Sequence, residues 1–174
     1  YIDKDVKYNK PYKILFASTG KLSENLNMIW NAYRLKGNNK LQLYYKIHHN
    51  IKFKATWIIL CKLVSVKIEN RFISPKVIDE YDFLVTEFST LGIEFLVRNK
   101  NVIIITNKYH APFIFNNQIF YNTRKLDKNL IDKVIPNRNQ NYSNERNEVL
   151  NLEFGKNINT NSELNELFKK IKHL

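Results

Sequence analysis

Three short stretches of the 174-residue chain hold side chains suited to gripping an anion. The first is Ser18-Thr19-Gly20, which follows the apolar run Tyr12–Ala17. Hydroxyls and a Gly at the end of a strand let backbone N–H groups come close to a phosphate. The second is Lys46-Ile47-His48-His49. In extended chain residues two apart share a face, so Lys46 and His48 would present an ammonium and an imidazole together. The third is Thr86-Glu87-Phe88-Ser89-Thr90 with Glu94 beyond it. There a strand ends and a helix begins, and free N–H groups, the helix dipole and two hydroxyls favour negative charge. Glu94, five residues after Ser89, would accept hydrogen bonds from ribose hydroxyls. Each stretch also has an ordinary reading: a plain turn, a surface loop carrying His, and an N-cap followed by a solvated Glu. The neighbouring histidines are poorly placed to chelate one ion, so no metal site is expected.

The elements that would position these groups follow from apolar spacing. Strands are expected over Tyr12–Ala17, Leu41–Ile47, Val64–Ile68, Phe83–Val85 and Asn101–Thr106, the last containing Val102-Ile103-Ile104-Ile105. Between them, Leu26, Ile29, Trp30 and Tyr33 recur at helical spacing from Ser23, a candidate N-cap, to Leu35, with Gly37-Asn38-Asn39 ending the helix. Further helices are expected over Ala55–Leu63 and Thr90–Arg98, with a helix or turn at Pro75–Asp79. Pro112–Tyr142 reads as irregular, and Asn137–Asn147 as a surface loop or helix start. A last helix, Ser162–Lys172, has Leu164, Leu167, Phe168 and Ile171 on one face. Strands and helices alternate, and the strands are apolar without alternation. That pattern predicts an α/β fold: a doubly wound, mostly parallel sheet with helices on both faces. In such sheets ligands bind at the carboxyl ends of strands, where all three stretches fall.

Charge narrows the partners. The chain has 28 Lys and Arg against 16 Asp and Glu, net +12, which favours anionic partners. Lys, Asn, Ile, Tyr and Phe, whose codons are rich in A and T, are all heavily used, so base composition accounts for part of the Lys excess. The lone Cys61 cannot form an intrachain disulfide, and inside Trp57–Cys61 it reads as a small buried hydrophobe. Lys62 interrupts the best apolar run, so no membrane span is expected. A reducing, cytoplasmic location is the default. The chain starts at Tyr1 and has one Met, Met28, so a further domain is expected upstream.

Taken together, the three stretches resemble the C-terminal, donor-binding half of the CDP-glycerol glycerophosphotransferases, enzymes of the GT-B glycosyltransferase architecture. Ala17-Ser18-Thr19 approximates that family's Ala-Pro-Thr turn, and Lys46-Ile47-His48 its Lys-x-His-Pro segment, with His49 in place of Pro. Tyr81-Asp82 and Thr86-Glu87-Phe88-Ser89-Thr90 echo an Ala-Asp-x-x-x-Thr-Asp-Tyr-Ser-Ser stretch, with Glu87 for Asp and Thr90 for Ser. Glu94 corresponds to the family's acidic residue on the next helix, and Lys100–Ile104 to its Lys-Pro-Ile-Ile strand. Phe154-Gly155 leading into the Ser162 helix has the family's shape, while the turn at Gly20 lacks an aromatic-basic pair often found there.

The resemblance implies a Rossmann-like GT-B half spanning residues 1–174 as one domain of a two-domain protein. It implies a glycosyl- or polyol-phosphate transferase of cell-surface polymer synthesis, teichoic-acid-like polymers included. The donor, CDP-glycerol or a nucleotide sugar, would be held by Ser18, Thr19, Gly20, Lys46, His48, Thr86, Glu87, Ser89, Thr90 and Glu94. The catalytic base would lie in the other half, and no cofactor is implied. The acceptor would be lipid-linked or a polymer, met by peripheral contact at the inner face of the cell membrane. The contrasting expectation is a non-catalytic basic module that binds nucleic acid or an anionic membrane surface, its aromatic residues stacking on bases. Against specific nucleic-acid binding, the lysines are scattered and the aromatics sit mainly in apolar runs.

Overall fold

The computed structural model describes residues 10–18, 20–87, 89–106, 120–127 and 134. Its elements in chain order are β1 (Tyr12–Ala17), α1 (Leu22–Arg34), β2 (Leu41–Lys46), α2 (Lys54–Leu63) and β3 (Lys67–Ile68). They continue with α3 (Pro75–Asp79), β4 (Phe83–Thr86), α4 (Thr90–Val97), β5 (Asn101–Ile105) and β6 (Phe120–Thr123). The strands form one six-stranded sheet in the order β3-β2-β1-β4-β5-β6, and every pairing is parallel. The order reverses between β1 and β4, where Ala17 lies beside Thr86 in register.

The period-two geometry of the strands builds two cores. Ile14, Phe16, Phe83, Val85, Ile103 and Ile105 point to one face, where they pack with Met28, Ile29 and Ala32 of α1 and Trp57 and Cys61 of α2. Leu15, Ala17, Leu84, Val102 and Ile104 point to the other, against Val77 and Ile78 of α3 and Ile93, Phe95 and Leu96 of α4. The sheet is therefore wound on both sides, as the unbroken apolar strands predicted. Burying each of these Ile, Leu and Phe side chains contributes about 1.5–3 kcal/mol. Cys61 is fully buried, and desolvation pushes its thiol up to about 11, so it behaves as the packed hydrophobe expected of it.

Several local expectations differ from the structure. Ser23 is not the N-cap of α1: the helix starts at Leu22, Lys21 takes the extended capping position, and no side chain caps it. A nearby salt bridge, Lys21 Nζ to Glu24 Oε1 at 3.4 Å, takes up the first-turn carboxylate. Leu26, Trp30 and Tyr33 face solvent, whereas Asn25 and Asn31 are buried with Met28 and Ala32. Two buried Asn are tolerated because each is hydrogen-bonded. Asn25 receives Ser18 Oγ and Tyr45 Oη, and Asn31 Oδ1 receives Leu126 N at 2.7 Å. The strand expected over Val64–Ile68 shrinks to two residues, because Val64 caps α2 and Ser65 takes a left-handed φ of 61°. β2 stops at Lys46, and β6 lies within the stretch read as irregular. The expected Ser162–Lys172 helix, Phe154-Gly155 and the Asn137–Asn147 tract lie outside the described residues.

Candidate functional site

A cavity of about 590 Å³ opens at the carboxyl ends of β1, β2 and β3. From the end of β1 come Ala17 and the next residue, Ser18, and from the end of β2 the run Lys46 to His49. The loop after β3 adds Glu69, Asn70, Phe72 and Ile73, helix α2 adds Lys54 and Ile58, and α4 adds Leu91 and Glu94. Strand-end location beside the sheet's reversal is where an open parallel sheet binds ligands.

The floor is a buried polar cluster. Ser18 Oγ donates to Asn25 Oδ1 at 2.7 Å and lies 3.3 Å from Tyr45 Oη, which also donates to Asn25 Oδ1. Asn25 Nδ2 in turn donates to Lys21 O at 2.6 Å. Ser18 thus reaches the cavity, but its hydroxyl is spent on anchoring the start of α1 to β2. Burial raises the Tyr45 phenol above its ordinary value, so it stays a neutral donor.

The wall at the end of β2 carries Lys46, His48 and His49. Lys46 Nζ donates to Arg71 O, and burial lowers its pKa while the Glu69 charge opposes that shift. Burial, and secondly the neighbouring His49, lowers the pKa of His48, so its imidazole is neutral at neutral pH. Asn50 N–H donates to His48 Nδ1 at 3.3 Å, which assigns the ring proton to Nε2. His49 stacks on His48 with centroids 4.3 Å apart. Gly20 packs against the Nδ1 edge of the ring. Its φ is +100°, and a Cβ there would lie 2.9 Å from His48 Nδ1. The turn after β1 and the end of β2 are therefore fitted to one another through a residue that must lack a side chain.

A charged bracket holds the β3 side. Buried Glu69 accepts from Arg71 Nη2 at 2.7 Å, from Arg71 N at 2.8 Å and from Tyr81 Oη at 2.6 Å. The Arg71 hydrogen bonds, with Tyr81 secondary, hold the Glu69 carboxyl down at about 2. Arg71 also forks onto Glu80, with contacts of 2.7 and 3.0 Å. The loop bearing Asn70, Phe72 and Ile73 is thereby tied to the end of α3.

The third stretch is split by the fold. Ser89 is the N-cap of α4 and accepts from Leu91 N at 3.2 Å. Leu91 and Glu94 of this helix line the cavity, whereas Ser89 and Thr90 are not among its lining residues. Glu87 accepts from Asn27 Nδ2 at 2.8 Å and ties the end of β4 to α1. Thr86 is fully buried beside Ala17. Asp82, part of the motif that carried the resemblance, accepts from Lys13 N at 2.9 Å and so secures β1 to the start of β4. Thr19 and Phe88 lie outside the described residues. The structure brings Ser18, Lys46, His48 and Glu94 to one cavity, with Gly20 behind His48. Sequence reasoning missed Lys54, Ile58, Glu69, Asn70, Phe72 and Ile73. The signal that could have found the last four was position alone, since they follow β3 as the earlier stretches follow β1 and β2. Among the described residues no group of three or more His, Cys, Asp or Glu is arranged to hold a metal ion.

The role of Ser89 separates capping from ligand binding. Ser89→Ala is expected to cost about 1 kcal/mol of stability, read as a lower midpoint in urea. Ligand affinity, measured by calorimetry, is expected to move less than about threefold.

No family model and no curated protein matches this chain. Among solved structures, the catalytic domain of cholesterol-α-glucosyltransferase from Helicobacter pylori is similar at a TM-score of 0.59 and 17% identity. That likeness covers 81% of this chain and 99% of the other. A Listeria monocytogenes protein assigned as a UDP-N-acetylglucosamine 2-epimerase is similar at a TM-score of 0.52 and 11% identity. Here 79% of this chain covers only 39% of the other. At these identities the likeness is one of fold: a six-stranded, Rossmann-like sheet of the kind that forms one half of the GT-B architecture.

Proposed function

We propose that this domain binds the nucleotide-diphosphate part of an activated donor and serves a transferase that builds a cell-surface polymer. The observation that carries the reading is the convergence of Lys46, His48 and Glu94 on one strand-end cavity. Lys46 supplies a cation and neutral His48 an Nε2–H donor for diphosphate oxygens. The Glu94 carboxylate is suited to accept from the hydroxyls of a ribose. Both structures of similar fold are named for chemistry on sugars, one of them on a UDP-sugar, which supports a nucleotide sugar as donor class.

In glycosyl transfer, the oxygen of an acceptor hydroxyl attacks the anomeric carbon and the bond to the nucleoside diphosphate breaks. The electron pair leaves on the diphosphate, where Lys46 and His48 offset the growing charge. The acceptor's proton goes to a base outside the residues described. The resemblance to CDP-glycerol glycerophosphotransferases favours a polyol-phosphate variant, in which attack falls on phosphorus and CMP departs. The acceptor is then lipid-linked or polymeric, and the site of action the inner face of the cell membrane.

Calorimetry with CDP, UDP and their sugar and polyol derivatives tests the reading. His48→Ala is expected to weaken binding about tenfold, the loss of one charge-assisted hydrogen bond. Unchanged affinity in both His48→Ala and Lys46→Met would overturn the assignment.

A further inference from the structure

Surface composition divides sharply between the two helical layers. Eight large hydrophobic side chains are strongly exposed among the described residues, and seven of them belong to the α1/α2 layer. On α1 they are Leu22, Leu26, Trp30 and Tyr33, spaced four, four and three apart, which at 3.6 residues per turn makes one stripe. Trp30 is 57% exposed and stacks on Tyr33 with centroids 5.6 Å apart. On α2 Ile59 and Leu63 are one turn apart, and Phe53 precedes them at 81% exposure, its backbone held at a φ of 56°. The C-terminal ends of the two helices meet, since Lys36 Nζ donates to Leu63 O at 3.2 Å.

Charge is sorted the same way. Residues 21–40 and 47–66, which form this layer and its loops, hold seven Lys and Arg and one carboxylate, Glu24. Residues 69–82 and 87–100, the opposite layer, hold four Lys and Arg and six Asp and Glu. An apolar stripe rich in Trp, Tyr and Leu, set in a field of cations, suits neither bulk water nor a purely polar partner. Indole and phenol rings favour the boundary between lipid headgroups and acyl chains, and lysines are drawn to anionic headgroups.

We infer that the α1/α2 layer is a docking face for an anionic lipid bilayer, with Leu22, Leu26, Trp30 and Tyr33 entering the interface and the surrounding lysines meeting the headgroups. Nucleic acid would use the cations but leave the Leu and Ile side chains unpartnered. No helix among the described residues is long and apolar enough to cross a membrane; the one-sided stripe on α1 suits a helix lying along the surface. This inference stands apart from the donor site: of the apolar and cationic residues it counts, only Lys54 also lines that cavity.

Vesicle flotation of the full chain tests it, comparing phosphatidylglycerol-containing vesicles with pure phosphatidylcholine. Selective binding to the anionic vesicles is expected, weakened by salt, with a blue shift of Trp30 emission. Trp57 is buried and serves as the constant background. Leu26→Ser combined with Trp30→Ser should lower partitioning about 100-fold or more. Lys36→Glu with Lys62→Glu should lower it about tenfold or more, and this pair answers the question should the first variant fold poorly. Unaltered partitioning in both variants, or absence of binding to anionic vesicles, overturns the proposal. So does a Trp30 that acrylamide fails to quench in the free protein, which would show the stripe covered by another part of the chain. A preference for DNA over vesicles would reassign the face to nucleic acid.

Discussion

Gly20→Ala is expected to weaken donor binding by about ten- to 100-fold and to lower stability by about 2 kcal/mol. Two independent effects meet at this position. The backbone φ of +100° lies where side-chain-bearing residues are strained, and the new methyl would stand 2.9 Å from His48 Nδ1. The ring is anchored by Asn50 N–H on the same nitrogen, so it cannot retreat without losing that bond. Displacing it moves Nε2–H from the place a diphosphate oxygen would occupy. Calorimetry and urea unfolding separate the two effects. A variant with lowered stability and unchanged affinity would show that the His48 ring has no part in the ligand contact. His48→Ala combined with Gly20→Ala should then recover stability relative to Gly20→Ala alone, because the clash disappears while the strain persists.

Glu69→Leu is expected to lower stability by about 2–3 kcal/mol, since it leaves the buried Tyr81 hydroxyl without its acceptor and frees the loop that lines the cavity. Tyr81→Phe should cost less, about 1 kcal/mol, and the double variant less than the sum. The same carboxylate sets an acid limit. Its pKa is held at about 2 in the folded protein, below the ordinary 4.5. A depressed value means the stabilisation is complete above 4.5 and drains away as pH falls through 2. Because Arg71 is half exposed and water screens the pair, the part lost across that window is about 1–2 kcal/mol. Denaturant midpoints measured from neutral pH down to the acid limit should show this slope in the wild type and a flatter one in Glu69→Leu.

How far the sequence revealed this molecule depends on whether each group's partner was local. The strands of the sheet's centre were legible because Ile14–Phe16 and Val102–Ile105 are apolar on both faces, and only a doubly covered sheet accommodates that. α1 was legible as a helix, but not which way it faces. It carries two apolar sets, and the buried one includes Asn25 and Asn31, whose side-chain oxygens accept from Ser18 just after β1, from Tyr45 on β2 and from Leu126. Such partners appear only once the chain is folded. β6 escaped notice because Phe120–Thr123 has only two apolar residues in succession. At the cavity, Lys46, His48 and Glu94 were readable because charged groups at strand ends and on the following helix stand out from apolar surroundings. Glu69 was not, since β3 is two residues long and its ending gives almost no signal. Glu87 and Ser89 looked like ligand groups by type, yet the fold employs them in tying α1 to β4 and in capping α4.

β1 pairs with β2 through Tyr12↔Leu41 and with β4 through Ile14↔Phe83, which are 29 and 69 residues apart in the chain. Closing such separations costs entropy before any strand contact returns it, so this centre sets the pace of folding. A ribosome releases β1 long before β4 exists. Until then an apolar strand waits with one edge open, a state in which a nascent chain is prone to pair wrongly or to recruit a chaperone. The arrangement that puts the cavity at the sheet's reversal thereby leaves β1 half-paired while β2 and β3, which follow it in the chain, already have each other.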